Sequence, residues 1–467
     1  MTTSRRPSPP RARPAATGRP AAAPRRESAR PDAKVPSRRS TGPTLPPLVV
    51  RLHQVQAVLG QVLQWSEPAD LALSRWLRAH PKLGARDRAE LSEAVFDVLR
   101  HLRRYRQYAE SGVGAASRRL AVLGLASQVD PVALAAVLEP AEAAWLERVR
   151  AIDVASLPYA VRFSLPDWLA AAFSQLPQAE ALAEAMGHQA PFDLRCNPLK
   201  IERDAVLAEL TAWYGEHYPA DPPPEATPWS PWGLRLRRRV ALPTWSRFQD
   251  GSVEVQDEGS QLLALLVGPK RGEMIIDFCA GAGGKTLLLG ALMRSTGRLY
   301  AFDVSAARLA RLTPRLARSG LSNVEPVTIA HENDARVKRL AGKAQRVLVD
   351  APCTGSGTLR RNPDIKWRQD PTALQALFAL QARILASAAR CVAPGGRLVY
   401  ATCSLLPAEN QEQVQAFLAA RPDFRLVPVA DVLANRSALV PQAEMLQLRP
   451  DVHGTDGFFA AVLERVA

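Results

Sequence analysis

Two cysteines in the C-terminal half have the clearest potential for chemistry. Cys353 lies in the run DAPCTGSG, three residues after Asp350, and Cys403 lies in the run ATCS. Each run follows an apolar stretch typical of a buried strand. A single cysteine is most often a small buried hydrophobic residue, but two at strand ends, one of them near an acid, indicate thiol chemistry. No set of histidine ligands lies near them, which argues against a metal site.

A glycine-rich turn, DFCAGAGGKT (277–286), follows an earlier apolar strand in the same half. The turn fails the P-loop pattern because Cys279 stands where the first glycine is required. It also fails the dinucleotide pattern G-x-G-x-x-G, because Thr286 stands at the last glycine position. A glycine turn that opens a helix after a strand still lets a charged small molecule approach the backbone closely. We therefore expect a small-molecule site here of neither kind.

Polar residues also follow the next two apolar strands. Asp303 lies 20 residues beyond Gly283, where a carboxylate can accept hydrogen bonds from both hydroxyls of a ribose. Asn333 and Asp334 follow the third strand, within reach of an adenine edge. A single aspartate after a strand is more often a turn or cap residue, but such positions on successive strands favour a nucleoside site.

These positions require a common framework. Strands and helices alternate from residue 251 onward, with strands predicted at 273–280, 298–304, 324–330, 346–352, 396–404, 424–429 and 457–466. Near-continuous apolar runs with helices between them predict a doubly wound α/β domain, with seven strands in a parallel sheet covered on both faces. Ligands in such sheets bind outside the carboxyl ends of the strands. The cysteines, the acids and the glycine turn all fall there.

The region upstream has a different pattern. Residues 48–150 show helical periodicity, as in 51–65 and 86–105, and predict an all-α bundle. Its basic stretch fits a solvated face or an RNA-facing one equally well; the residues are Arg100, Arg103, Arg104 and Arg106.

Residues 151–250 mix short helices with strands at 192–199 and 234–242 and predict a small α/β module. Its tryptophans either pack in the core or form, with nearby arginines, a surface for RNA bases and phosphates. These residues are Trp213, Trp229, Trp232, Trp245, Arg235, Arg237, Arg238 and Arg239.

Composition limits the class of protein. The 467 residues are too many for one ordinary domain, and 47% hydrophobic with 22% charged residues is a globular composition. Five cysteines without a Cys-x-x-Cys pair argue against a disulfide framework and favour a reducing, cytoplasmic setting. No apolar run approaches the length of a membrane span.

The excess positive charge is unevenly distributed. Residues 1–47 hold eleven Lys or Arg, two acids, eleven prolines and no aromatic residue, which predicts a disordered basic tail. Such a tail can also act as a weak tether for a polyanion. Because most of the net charge of +15 lies there, charge alone does not identify a nucleic-acid partner.

Together these motifs resemble the Sun-type (NOP/Sun, RsmB-like) family of RNA 5-methylcytosine methyltransferases over residues 160–467. The resemblance rests on DFCAGAGGKT, DVS (303–305), DAPCTGSG with RRNPDIKW (360–367), ATCS, VQDEGSQL (255–262) and PDVHGTDGFFAAVLER (450–465). Residues 48–146 are similar, more loosely, to the NusB-like RNA-binding extension of the family's ribosomal-RNA branch. One departure is in the cofactor loop, which in the family usually reads C-A-A-P-G-G-K and here has Gly281 and Ala282.

The resemblance implies a class I methyltransferase that transfers a methyl group from S-adenosylmethionine to carbon 5 of a cytosine in RNA, with ribosomal RNA favoured by the extension. It assigns Cys403 as nucleophile, Asp350 as holder of the base and Cys353 as the group that helps to remove the carbon-5 proton and release the enzyme. Lys285 is either a cofactor-side residue or a solvated lysine at a helix start. The implied cofactor-binding residues are Cys279, Ala280, Gly281, Ala282, Gly283, Gly284, Lys285, Asp303, Arg308, Asp334 and Asp350.

The expected protein is thus a monomeric cytoplasmic enzyme with RNA as partner and neither metal nor membrane. Two other classes are open. One is a non-catalytic RNA-binding or ribosome-assembly factor with a vestigial methyltransferase domain, against which the intact cysteines argue. The other is a methyltransferase that acts on uridine or on DNA.

Overall fold

Helices form the first part of the chain in the computed structural model, which describes residues 46–434 and 443–466. The predicted basic tail, 1–47, lies outside the described residues except for its last two. The helices are α1 (Pro47–Val62), α2 (Ala69–Ala79), α3 (Ala85–Arg100), α4 (Leu102–Glu110), α5 (Ala116–Ala126), α6 (Pro131–Ala135), α7 (Pro140–Arg150), α8 (Tyr159–Arg162), α9 (Asp167–Phe173) and α10 (Ala179–Gly187).

One hydrophobic core joins α1 to α7. Apolar residues spaced three or four apart on α1, such as Leu52, Val55 and Leu59, are fully buried against the other helices. The single helix expected over 86–105 is two, because His101 leaves helical backbone values (φ −106°, ψ 19°) and separates α3 from α4.

A small antiparallel sheet follows, in the order β2–β3–β1–β4. Its elements are β1 (Phe192–Cys196), α11 (Arg203–His217), β2 (Glu225–Ala226), β3 (Gly233–Leu236), α12 (Ser246–Gln249) and β4 (Val253–Val255). The strand expected at 234–242 ends at Leu236, because the three arginines that follow are all exposed and offer no buried face. Strand β4 carries this sheet past residue 250.

The large sheet is the doubly wound α/β sheet that the sequence predicts. Its strands run in the order β10–β12–β9–β8–β5–β6–β7, and β11 pairs with β12. Its elements are α13 (Glu258–Val267), β5 (Met274–Asp277), α14 (Gly284–Leu292), β6 (Arg298–Asp303), α15 (Ala306–Ser319), β7 (Val324–Thr328), α16 (Ala335–Lys338), β8 (Ala344–Asp350), α17 (Ile365–Arg368), α18 (Leu374–Cys391), β9 (Val392–Thr402), α19 (Gln411–Ala420), β10 (Phe424–Val427), α20 (Val429–Leu433), β11 (Leu446–Leu448), α21 (Pro450–His453) and β12 (Phe458–Arg465).

Two features of this sheet differ from the expectation. An eighth strand, β11, is present; its three residues are too few to show a period. The sheet is also mixed, since β5 to β9 are parallel but β12 is antiparallel to β9, β10 and β11. Antiparallel pairing does not require the crossover connection that parallel strands need.

The stretch Pro371–Cys391 is long and apolar enough, by length and composition, to cross a membrane. Its helix α18 packs against β8 and β9 and buries Ile384, Leu385 and Ala388 in the core of the large sheet. A core helix of an α/β domain passes the same test of length and composition.

The chain order reverses at β5, which lies between β6 and β8. From β5 the chain passes to β6 and β7 on one side, and later to β8 and β9 on the other. The carboxyl ends of β5 and β8 therefore flank the switch point at which ligands bind in open α/β sheets. The residues singled out above project at this edge.

Candidate active site

The structure brings the two motif cysteines together. Strands β8 and β9 are parallel neighbours with Asp350 opposite Ala401, so the loops that follow them start side by side. The Cys353 and Cys403 sulfurs are 3.3 Å apart, in hydrogen-bond contact. The loops are also tied by their backbones, since Gly357 N–H donates to the Cys403 carbonyl at 2.9 Å. Two thiols at this separation can share one proton.

The environment favours the protonated form of Cys353. The hydrogen bond to Cys403, followed by burial, raises the pKa of Cys353 well above the usual range. Cys353 therefore remains a thiol that can donate to the Cys403 sulfur. Burial, with the nearby Asp350, Asp277 and Asp303 carboxylates, likewise raises the pKa of Cys279, which disfavours the thiolate of this third cysteine.

Lys285 pairs with Asp350 across the switch point. Its ammonium donates to Asp350 Oδ2 at 2.7 Å, and the lysine is 9% exposed, so the solvated alternative for Lys285 is wrong. Burial acts to lower the pKa of Lys285, but the charge and hydrogen bond of Asp350 outweigh it and the pKa is raised. A fixed positive charge thus lies beside the cysteines. Among the described residues, nothing donates to Oδ1 of Asp350, which leaves this oxygen available to a substrate.

The glycine turn is held by the acid of the neighbouring strand. Asp303 is 3% exposed; its Oδ2 accepts from Gly281 N–H at 2.9 Å and its Oδ1 from Ser305 N–H at 2.7 Å. Arg308 pairs with Oδ1 of the same carboxylate at 2.9 Å. Two of the residues expected to bind the cofactor, Asp303 and Arg308, are therefore in contact at the edge of the turn.

Two arginines from elsewhere fix the carbonyls of the same turn. Arg315 donates to the Ala282 carbonyl at 2.6 Å and also pairs with the buried Glu254 of the small sheet. Arg195 of β1 donates to the Gly284 carbonyl at 2.8 Å. The small sheet thereby helps to shape the turn.

Two glycines of this turn have a positive φ but different surroundings. Gly283 has φ +80°, and a Cβ there would collide with Leu312. Gly281 has φ +57°, but a Cβ there would meet no atom within 4 Å. The turn is therefore tightly packed at Gly283 and open at Gly281, so a ligand can approach the backbone at Gly281.

A buried acid lies under the turn. Asp277 accepts a hydrogen bond from Thr286 Oγ1 at 2.6 Å, while its Oδ1 is buried without a partner. Burial raises the pKa of Asp277 to about 7, against the hydrogen bond from Thr286 that lowers it. The carboxyl is therefore mostly neutral below neutral pH.

The acid expected near the adenine ring is otherwise engaged. Both Asp334 oxygens accept backbone N–H bonds, from Ala330 at 2.9 Å and from Arg336 at 2.8 Å, which is the turn-and-cap role that a lone aspartate often has. Asn333 accepts from Arg390. Cofactor binding by Asp334 stays a prediction.

Two features were missed in the sequence. Val304 follows Asp303 directly and is 57% exposed, an apolar surface suited to the face of a ring. Glu409 and Asn410 are fully buried behind the cysteines. The signal for them was the polar run PAEN (407–410), which closes the loop that follows ATCS.

The basic stretch of α3 and α4 connects the helical region to its neighbours. Arg103 donates to the Leu165 carbonyl at 2.8 Å, Arg104 to the Arg162 carbonyl at 3.2 Å and Arg100 to the Arg360 carbonyl at 3.3 Å. These three arginines therefore attach α3 and α4 to neighbouring segments, and Arg103 is still partly exposed at the cleft described next. Arg106 is exposed and lines a cleft of about 430 Å³ with Gln107 and Trp367.

The tryptophans of the small sheet follow the core-packing alternative. All four are half-buried and pack against hydrophobic clusters; Trp245 also donates to Glu209 at 3.1 Å. Arg235 is buried in an ion pair with Asp193 at 2.8 Å. No stacking surface made of all these residues exists in the described chain.

The edge of the sheet fits S-adenosylmethionine. The open side of Gly281 and the exposed Val304 leave room and an apolar face for a small molecule. The ribose role of Asp303, whose two oxygens already accept from Gly281 N–H and Ser305 N–H, stays a prediction. No group of three or more potential metal-ligating side chains occurs within residues 46–434 and 443–466.

Comparisons with known proteins agree with this geometry. The family model described as 16S rRNA methyltransferase RsmB/F matches residues 264–464. The probable ribosomal RNA small subunit methyltransferase B of Synechocystis sp. is 32% identical over 439 residues, which cover 85% of this chain and 95% of that protein.

Solved structures extend the similarity to most of the fold. The crystal structure of PH0851 superposes with a TM-score of 0.72 at 26% identity and covers 90% of this chain and 99% of that one. A methyltransferase homolog protein from Pyrococcus horikoshii has a TM-score of 0.55 at 29% identity, covering 68% of this chain and 100% of its own.

The fold and this edge define an RNA methyltransferase whose cofactor is S-adenosylmethionine. Within that class, the chain belongs to the RsmB/F family of ribosomal RNA methyltransferases, as its resemblance to the Sun-type family predicts.

Proposed function

We propose that the protein methylates carbon 5 of a cytosine in 16S ribosomal RNA through a covalent adduct with Cys403. The contact of the two sulfurs at 3.3 Å, where the carboxyl ends of β8 and β9 meet, carries this proposal. It provides one sulfur to attack and a second to manage a proton, which the chemistry at carbon 5 requires. The family and the Synechocystis relative support 16S ribosomal RNA as substrate.

The addition step makes carbon 5 reactive. The Cys403 thiolate forms a bond to carbon 6, and the electrons of the 5,6 double bond become available at carbon 5. S-adenosylmethionine supplies the electrophilic methyl group. Asp350 holds the amino edge of the base through its free Oδ1, while Lys285 keeps the carboxylate oriented through Oδ2.

The release step uses Cys353. The largest cause of its raised pKa is the hydrogen bond to Cys403, and this interaction is lost once Cys403 is bonded to carbon 6. Cys353 can then give its proton to solvent water and, as a thiolate, take the proton from carbon 5. The bond between carbon 6 and Cys403 breaks, the double bond re-forms and Cys403 leaves as a thiolate.

Asp350 favours cytosine over uridine. A carboxylate oxygen accepts hydrogen bonds, and cytosine presents an amino group at position 4 where uridine presents a carbonyl oxygen. A uridine would place its carbonyl against Oδ1 without a proton between them. The same free oxygen would have no use in a non-catalytic assembly factor.

The test is the identity of the product. Purified protein, unmodified 16S RNA and S-adenosylmethionine with a labelled methyl group should give labelled 5-methylcytidine after nuclease digestion and mass spectrometry. Cys403→Ala should give none, and Cys391→Ala, a buried cysteine of α18, should serve as the active control. Labelled 5-methyluridine, or label incorporated by Cys403→Ala, would contradict the proposal.

We also propose a division of labour along the chain. Residues 48–150 serve as an RNA-binding region, 151–250 as a small module that supports binding and 251–467 as the catalytic domain. The cleft beside the exposed Arg106 is the candidate contact of the helical region. Arg106→Glu should weaken RNA binding and leave S-adenosylmethionine binding unchanged; equal RNA affinity would remove the cleft from the interface.

A further inference from the structure

A buried carboxylate lies directly behind the two cysteines. Glu409 is 0% exposed and follows the loop after β9. Its Oε1 accepts from the Thr354 backbone N–H at 2.8 Å and from Gln381 Nε2 at 2.9 Å. Its Oε2 accepts from the hydroxyls of Thr354 and Ser404. The carboxylate thus binds the residue that follows each cysteine, and both oxygens are fully used.

Asn410, the next residue, adds hydrogen bonds to the loop that contains Cys403. Asn410, also 0% exposed, accepts from Thr402 Oγ1 at 2.5 Å and donates to the Ser404 carbonyl at 2.9 Å. Cys403 is therefore held on both sides, at Thr402 and at Ser404. Cys353 is held through Thr354. The bonds from Thr354 to Glu409 span 55 positions of the chain, whereas those that hold Thr402 and Ser404 are local, so Glu409 joins its own loop to a distant one.

We propose that Glu409 is a positioning residue that fixes the two cysteine loops relative to each other and so sets the separation of the two sulfurs. This inference rests on the proposed function, because it gives that separation its role in the addition and release steps. Glu409 touches neither sulfur in a hydrogen bond, so it acts through Thr354 and Ser404.

The charge of Glu409 also reaches Cys353. The hydrogen bond to Cys403 and burial are the main causes of the raised pKa of Cys353, and the charges of Cys403 and Glu409 add to them. Removing this charge should lower the pKa of Cys353, and this effect can be measured without RNA.

The experiment compares Glu409→Gln with Glu258→Gln. Glu258 is another 0% exposed glutamate that accepts two backbone N–H bonds, from residues 229 and 230, but it lies away from the cysteines. Thiol reactivity is followed by alkylation with iodoacetamide across pH, with each cysteine read by peptide mass spectrometry. Calorimetry with S-adenosylmethionine confirms that each variant is folded.

In Glu409→Gln the alkylation profile of Cys353 should move to lower pH, and kcat on 16S RNA should fall about 100-fold, as expected for misplaced reacting groups. The KM for S-adenosylmethionine should stay within about twofold of the unaltered protein. Glu258→Gln should leave the Cys353 profile in place. An unchanged profile and kcat in Glu409→Gln would overturn the proposal.

A second pair of variants covers the case in which Glu409→Gln does not fold. Thr354→Val removes one hydroxyl bond to Glu409 at nearly constant volume, and Thr354→Ser keeps it. Val should lower kcat and Ser should restore it; equal kcat values would overturn the positioning role. Alkylation needs neither RNA nor product, so it tests the role of Glu409 separately from the proposed function. A failure of the proposed function is reported by the product analysis alone.

Discussion

Two neighbouring groups of loops at the carboxyl end of the same sheet, here called the cofactor edge and the cysteine edge, are built in opposite ways. At the cofactor edge, after β5 and β6, glycines leave open space and the buried Asp277 has one oxygen without a partner. At the cysteine edge, after β8 and β9, Glu409 accepts four hydrogen bonds. The buried carboxylate beneath the glycine turn, Asp277, thus has an unused oxygen, whereas both oxygens of Glu409 are used.

The difference matches what each edge must do. A cofactor that enters and leaves at each turnover needs a loop whose backbone is accessible, which open space above a glycine provides. In the proposed mechanism two sulfurs act in succession on one ring and need a fixed separation, which a saturated hydrogen-bond network provides. Lys285 and Asp350 join the edges, because the lysine follows β5 and the aspartate ends β8.

The largest effect is expected at that junction. Lys285→Met leaves the Asp350 carboxylate without its ammonium partner and removes a positive charge near Cys403. We expect kcat to fall about 100-fold, the scale of a lost electrostatic contact in an active site. Lys270→Met, an exposed lysine, is the control. Steady-state kinetics with 16S RNA measures kcat of both variants. Equal kcat values would show that the pair of Lys285 and Asp350 does not link the cofactor edge to the cysteine edge in catalysis.

A smaller effect, confined to the cofactor edge, is expected for Asp303→Ala. The variant loses the bond that holds Gly281 and, in the role predicted for Asp303, the acceptor for the ribose. Because hydrogen bonds to charged groups contribute about 1.5–3 kcal/mol, S-adenosylmethionine should bind about 10- to 100-fold more weakly. Calorimetry measures this affinity, and alkylation of Cys353 should be unaltered. An unchanged affinity would remove Asp303 from the ribose role.

Asp277 should make stability depend on pH. Its pKa is raised to about 7 by burial, above the usual value near 4. Folding therefore favours the protonated form, and this contribution is present in full below about pH 4 and is lost as pH rises through about 7. Urea unfolding at pH 5 and pH 8 should show a smaller decrease in Asp277→Asn than in the unaltered protein. Parallel decreases would show that Asp277 is ionised in the fold.

The smallest effect is expected from Gly281→Ala. A Cβ fits the open space, and the positive φ costs about 1 kcal/mol. Gly283→Ala is the matched contrast, because its Cβ would collide with Leu312. Thermal unfolding and calorimetry should show a small loss for the first variant and a much larger one for the second. A large loss of affinity in Gly281→Ala would mean that the cofactor occupies that space tightly.

The sequence predicts the sheet and the meeting of the cysteines because both follow from general rules. Long apolar strands are visible in the sequence as continuous apolar runs, and the carboxyl ends of adjacent parallel strands must lie together. Strand β11 was missed since three residues show no period, and the break at His101 was missed since the periodicity continues across it.

Side-chain partners between distant segments could not be predicted in the same way. Lys285 meets Asp350 across 65 positions and Glu409 meets Thr354 across 55. A pattern along the chain does not record which buried groups face each other. The basic stretch of α3 and α4 shows the same limit, because Arg100, Arg103 and Arg104 bind carbonyls that only the packing brings near.

The most direct test of the mechanism is the trapping of the adduct. Cys353→Ala, mixed with 16S RNA and S-adenosylmethionine, should form a protein–RNA complex that survives denaturing electrophoresis, because addition proceeds while release is blocked. The double variant Cys353→Ala with Cys403→Ala should form none. A stable complex in the double variant, or none in Cys353→Ala despite normal RNA binding, would contradict the roles assigned to the two sulfurs.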